Sequence, residues 1–485
     1  MDKPRSAMHT WNASSQSSQA AARSEERRRV PWRSKKTPLM PFISVKYLQV
    51  VFKGTDQGGG VRKTHFHPPL HRQYVRTDIK HKSGAEGLQR GGGPVSRHRS
   101  VFIDEGVLDL NYVPPRLLHR DAELRFLNGL FRFVIEAPYE MSQRAVIFGG
   151  VGSGKTALAQ RFGLNLKEEA GRRRVKAEYI HVNCRESRGS LFIVLQRVMR
   201  RLRPQFPDRG FSANELLDTL MRILDEDDLH LVLCLDEVDA LIEKEGSDAI
   251  YNLSRVQEER LEGPRRLSLI LIAKEPEAFK GLDRSTLSTL QRNVVRMPEY
   301  TVPQLADIVI SRAEAAYRAG AISPGIVDFI GELAASENGD ARYAIDLLWR
   351  AGKYADTAYS REVLPEHVRK AAASLFPALR PEEIRQLSRH EQFALLGIAR
   401  HFRHSPEPHA TTGEAETSYQ VVCEEYGEKA RGHTQFWKYL NRLKGTGAIS
   451  TVLRASKKGR TQLISLPKVP AEDLERELIR IVDQG

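Results

Sequence analysis

The chain has 485 residues, enough for two or three domains that each bury their own core. Its formal net charge of +14 resides in the first hundred residues, which hold 20 Lys and Arg against 6 Asp and Glu. The 3 cysteines lie far apart without C-x-x-C spacing, which argues against a disulfide framework and a structural zinc site, and no apolar run is long enough to span a membrane. The N-terminus is too polar for a secretory signal, so we expect a soluble protein of the cytoplasm.

Residues 1–99 mix Ser- and Gln-rich, Arg-rich and Gly-rich pieces with few apolar residues. This composition predicts a basic extension that is mostly disordered, because it offers too little apolar surface for a core. Its charge would attract DNA regardless of base sequence. The alternatives are a dispensable extension and a translation start placed upstream of the real one.

The first strong motif follows an apolar run at residues 145–148. Residues 149–156 read GGVGSGKT and fit the phosphate-binding pattern G-x-x-x-x-G-K-[ST] between a predicted strand and a predicted helix. In this pattern backbone N–H groups surround phosphate oxygens, the lysine reaches the β- and γ-phosphates, and the threonine can hold Mg²⁺. An ordinary glycine-rich turn is the alternative. The predicted nucleotide-binding residues here are Gly149, Gly150, Val151, Gly152, Ser153, Gly154, Lys155, Thr156 and Ala157.

Between residues 100 and 300, predicted strands alternate with predicted helices, which is typical of an α/β domain with a parallel sheet. The strand at 229–235 ends in Asp236 and Glu237, at the sheet edge where open α/β sheets bind ligands. We predict that Asp236 positions Mg²⁺ and that Glu237 polarises the attacking water. An acidic helix cap is the alternative for this pair. The other segments that read as strands are 145–148, 178–184, 266–275 and 293–300.

Residues 301–376 carry only helical patterns, which predicts an all-α lid domain. Arg342 lies in the first turn of its third helical stretch, GDARYAIDLL. An arginine at this place can reach the γ-phosphate and sense whether it is present. The alternative is an exposed helix charge without function.

Residues 385–470 predict three helices followed by a β-hairpin, the order of a winged helix-turn-helix domain. The third helix, at 434–445, would read DNA, and the loop of the hairpin would be the wing. Residues 431–470 hold nine Lys or Arg and no Asp or Glu, which favours phosphate contacts over the alternative of a winged helix that binds protein. Residues 471–485 read as an acidic C-terminal helix. The predicted DNA-binding residues are Thr434, Gln435, Lys438, Asn441, Arg442, Lys457, Lys458 and Arg460.

Taken together, residues 100–466 resemble the archaeal origin-recognition and cell-division-control initiators, AAA+ ATPases that mark replication origins. The segments that carry the resemblance are SVFIDEGVLDLNYVPPRLLHRDAEL, GGVGSGKT, HVNC, LCLDEVDAL, IYNLSR, GDARYAIDLL and SKKGRTQLISL. The resemblance implies ATP or ADP with Mg²⁺, and Arg342 as the sensor arginine of the lid. It also implies a helical insertion, for which residues 200–211 are a candidate. The residues implied to lie near adenine are Tyr112, Val113, His119 and Arg120.

Two positions depart from this family's pattern. Where the family usually has an asparagine that positions water, this chain has Lys274, which cannot accept a proton while charged. The arginine-finger region matches only approximately, so Arg284 and Arg292 both remain candidates, and we take Arg284 first. We therefore expect a weak ATPase that serves as a switch.

These features lead to one main hypothesis and two alternatives. The main hypothesis is an ATP-dependent replication initiator that binds double-stranded origin DNA, as a monomer or dimer at the nucleoid, and helps recruit the minichromosome-maintenance helicase, a partner implied by resemblance alone. One alternative is a DNA-bound regulator of transcription or plasmid maintenance. The other is an ATPase whose winged helix contacts only protein.

Overall fold

The computed structural model describes residues 99–257, 263–290, 292–375, 380–456 and 459–484. The extension expected to be disordered lies outside these residues as far as residue 98, and Lys457 and Lys458 of the expected wing also lie outside them. Within the described residues, no helix is both long and apolar enough to cross a bilayer.

A five-stranded parallel sheet, in the order β2-β3-β4-β1-β5, lies at the centre of the first domain. Its strands are β1 (Arg144–Gly149), β2 (Ala177–Asn183), β3 (His230–Asp236), β4 (Leu267–Ala273) and β5 (Val294–Met297). Both β3 and β4 are buried along their whole length, because helices cover the two faces of the sheet. Since all strands run in one direction, the loop after β1 and the acids after β3 meet at the same edge.

The helices around the sheet bury two apolar layers. They are α1 (Asp121–Leu130), α2 (Phe133–Glu136), α3 (Lys155–Arg173), α4 (Leu191–Leu202), α5 (Ala213–Glu226), α6 (Asp239–Arg255) and α7 (Arg284–Leu290). Helix α5 begins at a capping box in which Ser212 and Glu215 bond each other's backbone N–H groups. The candidate insertion at 200–211 comprises the end of α4 and most of the connection to α5.

The lid consists of α8 (Val302–Ala316), α9 (Pro324–Ser336), α10 (Ala341–Thr357) and α11 (Pro365–Leu375). Its core also includes Val101, Phe102, Val107 and Leu108, which precede the sheet in sequence. Phe102 packs against Tyr317 with 4.6 Å between ring centroids, and Ile103 N–H donates to the carbonyl oxygen of Ala316 at 2.7 Å. The chain therefore passes through the lid before it enters the sheet domain.

The C-terminal domain is a winged helix. Its elements are α12 (Pro381–Arg385), α13 (Arg389–His404), β6 (Ala410–Thr411), α14 (Thr412–Glu425), α15 (His433–Gly445), β7 (Ser450–Ser456), β8 (Gly459–Ser465) and α16 (Ala471–Gln484). The three strands pair antiparallel in the order β6-β8-β7. Helix α16 lies on α13, where Glu475 accepts from Arg403 at 2.7 Å. The parallel sheet, the helical lid and the winged helix confirm the predicted fold class.

The winged helix packs directly against the lid. His409, just before β6, contacts Glu332 of α9 with 2.7 Å between Nε2 and Oε2. Arg369 of α11 is fully buried and lies over the ring of Phe402 of α13, 4.6 Å from its centroid. The backbone N–H of Ala471 donates to Glu366 of α11 at 3.1 Å. These contacts fix the orientation of the winged helix on the lid.

Candidate nucleotide site and nucleic-acid interface

The loop at residues 149–156 connects β1 to α3. At two of its positions the backbone has a positive φ, which only glycine adopts readily. Gly152 has φ +72° and Gly154 has φ +90°. The Nζ of Lys155 donates to the carbonyl oxygens of Gly149 at 2.7 Å and Gly150 at 2.8 Å. Burial lowers the pKa of Lys155, so its charge resides in a partly desolvated place where an anion is favoured.

Asp236 is the hydrogen-bonding centre of the sheet edge. Its Oδ2 accepts from Thr156 Oγ1 at 2.7 Å and lies 3.2 Å from His181 Nε2, and its Oδ1 accepts from the N–H of Glu237 at 2.9 Å. Burial alone would raise the pKa of Asp236, but the hydrogen bonds from His181 and Thr156 outweigh it and lower the pKa. A carboxylate and a hydroxyl held together in this way are the oxygen ligands that Mg²⁺ prefers.

Glu237 lies next to this cluster with a left-handed backbone, φ +50°. Such a conformation is uncommon for a residue with a Cβ and is often found at functional sites. Its side chain lines the same cavity as Asp236. That Glu237 polarises the attacking water stays a prediction.

A cavity of about 900 Å³ connects the loop, the acids and the lid, a volume within the range of cofactor sites. Tyr112 and Val113 line one end of it, and their place near adenine stays a prediction. Arg312 of α8 lines the same end, with its guanidinium 4.7 Å from the ring centroid of Tyr112, and donates to the carbonyl oxygen of Val107 at 3.0 Å. The loop residues that line the cavity are Gly152, Gly154, Thr156 and Ala157.

The other five residues of this loop that are expected to bind nucleotide do not line the cavity, and their exposure to solvent differs. Val151 is exposed, whereas Ser153 is fully buried and donates its hydroxyl to the carbonyl oxygen of Gly150 at 2.9 Å. Gly149 leaves no room for a side chain, because a Cβ would lie 2.6 Å from the carbonyl oxygen of Met297. Their roles toward a nucleotide stay predictions.

His119 and Arg120 do not line the cavity, and their expected place near adenine stays a prediction. His119 Nε2 contacts Asp307 Oδ2 at 2.8 Å on the lid side. Arg120 is only 2% exposed, because its guanidinium lies behind the phosphate-binding loop and donates to the carbonyl oxygens of Ser153 at 2.9 Å and Pro298 at 2.6 Å. Arg120 therefore supports the loop from within.

The first turn of α10 brings the lid to the loop. Asp340 caps this helix by accepting from the N–H of Arg342 at 2.7 Å, and the N–H of Ala341 donates to the carbonyl oxygen of Gly152 at 3.3 Å. Arg342 lines the cavity, with Nη2 3.5 Å from Thr156 Oγ1. The structure thus brings Arg342, Thr156 and Asp236 together at one place.

Lys274, Arg284 and Arg292 lie outside this group. Lys274 follows β4 at the correct edge, and its carbonyl oxygen accepts from the N–H of Gly149 at 3.3 Å, but its side chain is 62% exposed beside Glu275. It turns to solvent because burial of a lysine charge is costly. Arg284 is the first residue of α7 and does not line the cavity, and neither does Arg292.

Helix α15 presents one apolar and one polar face. Phe436, Leu440 and Leu443 are buried in the winged-helix core. Arg442 is 61% exposed and pairs with Glu391 of α13 at 3.3 Å, so its charge is already partly matched. The side chain of Arg460, on β8, is outside the described part of the chain. The predicted DNA-binding residues that the structure leaves exposed on α15 are Thr434, Gln435, Lys438, Asn441 and Arg442.

Comparison with known proteins identifies this combination of domains. Family models match an AAA domain at residues 142–281, a Cdc6 AAA+ ATPase-type lid domain at 306–373 and a Cdc6 C-terminal winged helix domain at 382–477. The ORC1-type DNA replication protein 2 of Sulfolobus acidocaldarius is 33% identical over 376 residues, which are 76% of this chain and 90% of that protein. The chain belongs to the ORC1/Cdc6 family of replication initiators. This finding confirms the family resemblance inferred from the sequence motifs.

Solved structures of the ORC1/Cdc6 family have the same architecture. Cdc6p of Pyrobaculum aerophilum matches with a TM-score of 0.71 and 30% identity, over 79% of this chain and 99% of that one. Aeropyrum pernix ORC1 in complex with DNA matches with a TM-score of 0.53 and 28% identity, over 79% and 97% of the two chains. A. pernix ORC2, in ADPNP–ADP complexes, matches with a TM-score of 0.52 and 25% identity, over 79% of this chain and 99% of that one.

Four residues near the sites of this ORC1/Cdc6 family member were not predicted from the sequence. They are His181 and Arg312 at the cavity, Asp340 at the start of α10, and Trp437 on α15. His181 lies in the segment HVNC, beside the strand that carries Asp236, so its contact could have been anticipated from strand order. Arg312 lies within an ordinary amphipathic helix and carries no motif. Asp340 directly precedes a predicted helical stretch, so its role as an N-cap could have been predicted from the sequence.

Proposed function

We propose that this ORC1/Cdc6 family member is an ATP-controlled initiator that binds double-stranded origin DNA and helps recruit the replicative minichromosome-maintenance helicase. The proposal rests above all on the contact between Arg342 of the lid and Thr156 of the phosphate-binding loop within one cavity. It is supported by the matches to an ORC1 protein in complex with DNA and to an ORC2 protein in ADPNP–ADP complexes.

At the nucleotide site, backbone N–H groups of residues 150–156 and the Nζ of Lys155 would hold the phosphates. Lys155 would exchange the carbonyl oxygens of Gly149 and Gly150 for phosphate oxygens. Thr156 and Asp236 fit a magnesium ion, which when bound supplies positive charge to the phosphates. Glu237 would polarise the attacking water.

We expect hydrolysis to be weak. The position after β4 holds Lys274, whose side chain is 62% exposed and lies beside Glu275 rather than over the cavity. A second group that orients water is therefore missing at this position, and Glu237 would act without it. Slow turnover suits a switch, which requires only that ATP and ADP stabilise different arrangements of the lid.

The path from nucleotide to DNA would run through the lid. The first turn of α10 touches the loop through Gly152 and Thr156, and the far side of the lid holds the winged helix through the contacts of His409 with Glu332 and of Ala471 with Glu366. A change at the γ-phosphate that moves Arg342 would thus reorient α15. This function would locate the protein at the nucleoid.

Mapping of bound DNA across the genome of the native cell tests the proposal. We expect a small number of sites that share a repeated element and coincide with the places where replication begins. Sites at many promoters would instead support a regulator of transcription, and a chain without any bound DNA would support a winged helix that contacts only protein. Recovery of the helicase with the wild-type protein at the same sites would support the recruitment step.

A further inference from the structure

Trp437 lies on the exposed side of α15, next to the buried face, and its side chain is 51% exposed. Residues at spacings of three, four and seven share one face of a helix, so the exposed residues Thr434, Asn441 and Lys444 share the face of Trp437. The adjoining face, with Phe436, Leu440 and Leu443, is buried in the core. The indole is thus the largest apolar group on a face that is otherwise polar.

The charges near this face indicate what covers it. Residues 431–445, which include α15, hold four Lys or Arg and no Asp or Glu, so the surface of this helix suits a polyanion. Two of the basic side chains of α15 already have acidic partners, since His433 Nδ1 lies 2.6 Å from Glu416 and Arg442 Nε lies 3.3 Å from Glu391. The exposed groups of this face that can contact base edges include the indole of Trp437 and the amide of Asn441.

These two groups have a specific chemistry in the major groove of DNA. An asparagine amide binds the N6 and N7 atoms of adenine in a bidentate manner, and apolar side chains contact the C5-methyl group of thymine. Asn441 is one helical turn beyond Trp437, so their side chains are neighbours on the surface. Guanine is read by arginine or lysine; Arg442 pairs with Glu391, and Lys438 is about 100° around the helix from Trp437.

We infer that Trp437 is a specificity-determining residue of α15, which packs its indole against the methyl group of a thymine while Asn441 binds an adenine in the same or the adjacent base pair. This inference rests on the proposed binding of duplex DNA by α15. It adds that the preferred base pairs at the centre of the helix are A·T, and that the discrimination comes from the thymine methyl group.

The test uses duplexes selected by the full-length wild-type protein from a random pool. In the best duplex, deoxyuridine replaces each thymidine in turn, which removes only the methyl group. We expect one replacement to weaken wild-type binding by about fivefold or more, and Trp437→Ala to weaken binding to the unmodified duplex by a similar factor. Because the variant lacks the contact, it should bind the thymidine and deoxyuridine duplexes equally.

Val421→Ala is the matched control, because Val421 is an apolar residue on α14 of the same domain and is 56% exposed. This variant should bind like the wild type and keep the fivefold effect of deoxyuridine. The deoxyuridine series on the wild type does not depend on the folding of any variant, and thermal unfolding of Trp437→Ala checks that its fold is intact.

Three results would overturn the inference. Wild-type binding that is insensitive to every deoxyuridine replacement excludes a methyl contact. Trp437→Ala that retains the wild-type sensitivity to deoxyuridine assigns the contact to another residue. A wild-type protein that selects no duplex at all overturns the proposed DNA-binding function itself, which distinguishes this failure from the other two.

Discussion

Gly152 offers a direct test of the contact between the phosphate-binding loop and the lid. In Gly152→Ala the new Cβ would lie 1.8 Å from Asp340 Oδ1 and 2.7 Å from Asp340 Cα, so the carboxylate and the backbone of the lid must both move. The left-handed conformation, φ +72°, costs an alanine about 1–2 kcal/mol. Displacement of Asp340 removes the N-cap of α10, which is worth about 1 kcal/mol.

We therefore expect Gly152→Ala to lose roughly 2–3 kcal/mol in the free energy of unfolding and at least about tenfold in ATP affinity. Urea denaturation and titration with a fluorescent ATP analogue measure the two effects. Gly171→Ala in α3 is the matched control, because no atom lies within 4 Å of its new Cβ and alanine favours the helix. This control should be as stable as the wild type or more so.

A substitution at Asp340 tests whether the cost of Gly152→Ala comes from this contact. Asp340→Ser keeps a capping side chain but shortens it, so Gly152→Ala should cost about 1 kcal/mol less in that background than in the wild type. If Gly152→Ala costs the same in both backgrounds to within about 0.5 kcal/mol, the Asp340 carboxylate takes no part in the cost, and the expected contact of residue 152 with that side chain is refuted.

Three further predictions concern nucleotide, DNA and pH. Lys155→Ala should abolish ATP binding with the fold intact, whereas Lys167→Ala, elsewhere on α3, should bind ATP normally in the same titration; unchanged affinity of Lys155→Ala would exclude the loop as the phosphate site. Arg442→Ala should weaken DNA binding and reduce the salt slope by about one, and Arg476→Ala on α16 should do neither. Burial, together with the charge of Arg266, lowers the pKa of His230 to about 4. Because the unfolded chain then binds the proton more strongly, stability should fall from pH 6.5 to 4 by up to about 3 kcal/mol, and His230→Gln should flatten this loss in urea midpoints; a loss of equal size in that variant would contradict the assignment.

The local patterns of the sequence were sufficient for the sheet and the phosphate-binding loop. A strand buried on both faces is a continuous apolar run, and the strand predicted at 229–235 is β3, His230–Asp236, in the structure. The meeting of Thr156 with Asp236, 80 positions apart, followed from the rule that parallel strands end at one edge. Helix α5 was not predicted, although the spacing of Ser212 and Glu215 in the sequence fits a capping box.

The orientations of individual side chains could not be read from the sequence, because they depend on distant contacts. Arg120 points away from the cavity and donates hydrogen bonds to the carbonyl oxygens of Ser153 and Pro298. No local pattern in the sequence indicates these contacts. The packing of Phe102 into the lid joins residues more than 200 positions apart. The exposure of Trp437 depends on which face of α15 the core covers. The domain boundaries and the roles of Lys274 and Arg284 stay predictions.

We propose that the nucleotide bound near Arg342 controls the affinity of the winged helix for DNA. The most direct measurement is the affinity for the selected duplex with ATP and with ADP, for the wild type and for Arg342→Ala. We predict that the two nucleotides give different affinities in the wild type, and that Arg342→Ala binds both nucleotides but gives one common affinity for DNA. Equal DNA affinities of the wild type with ATP, with ADP and without nucleotide would contradict the account.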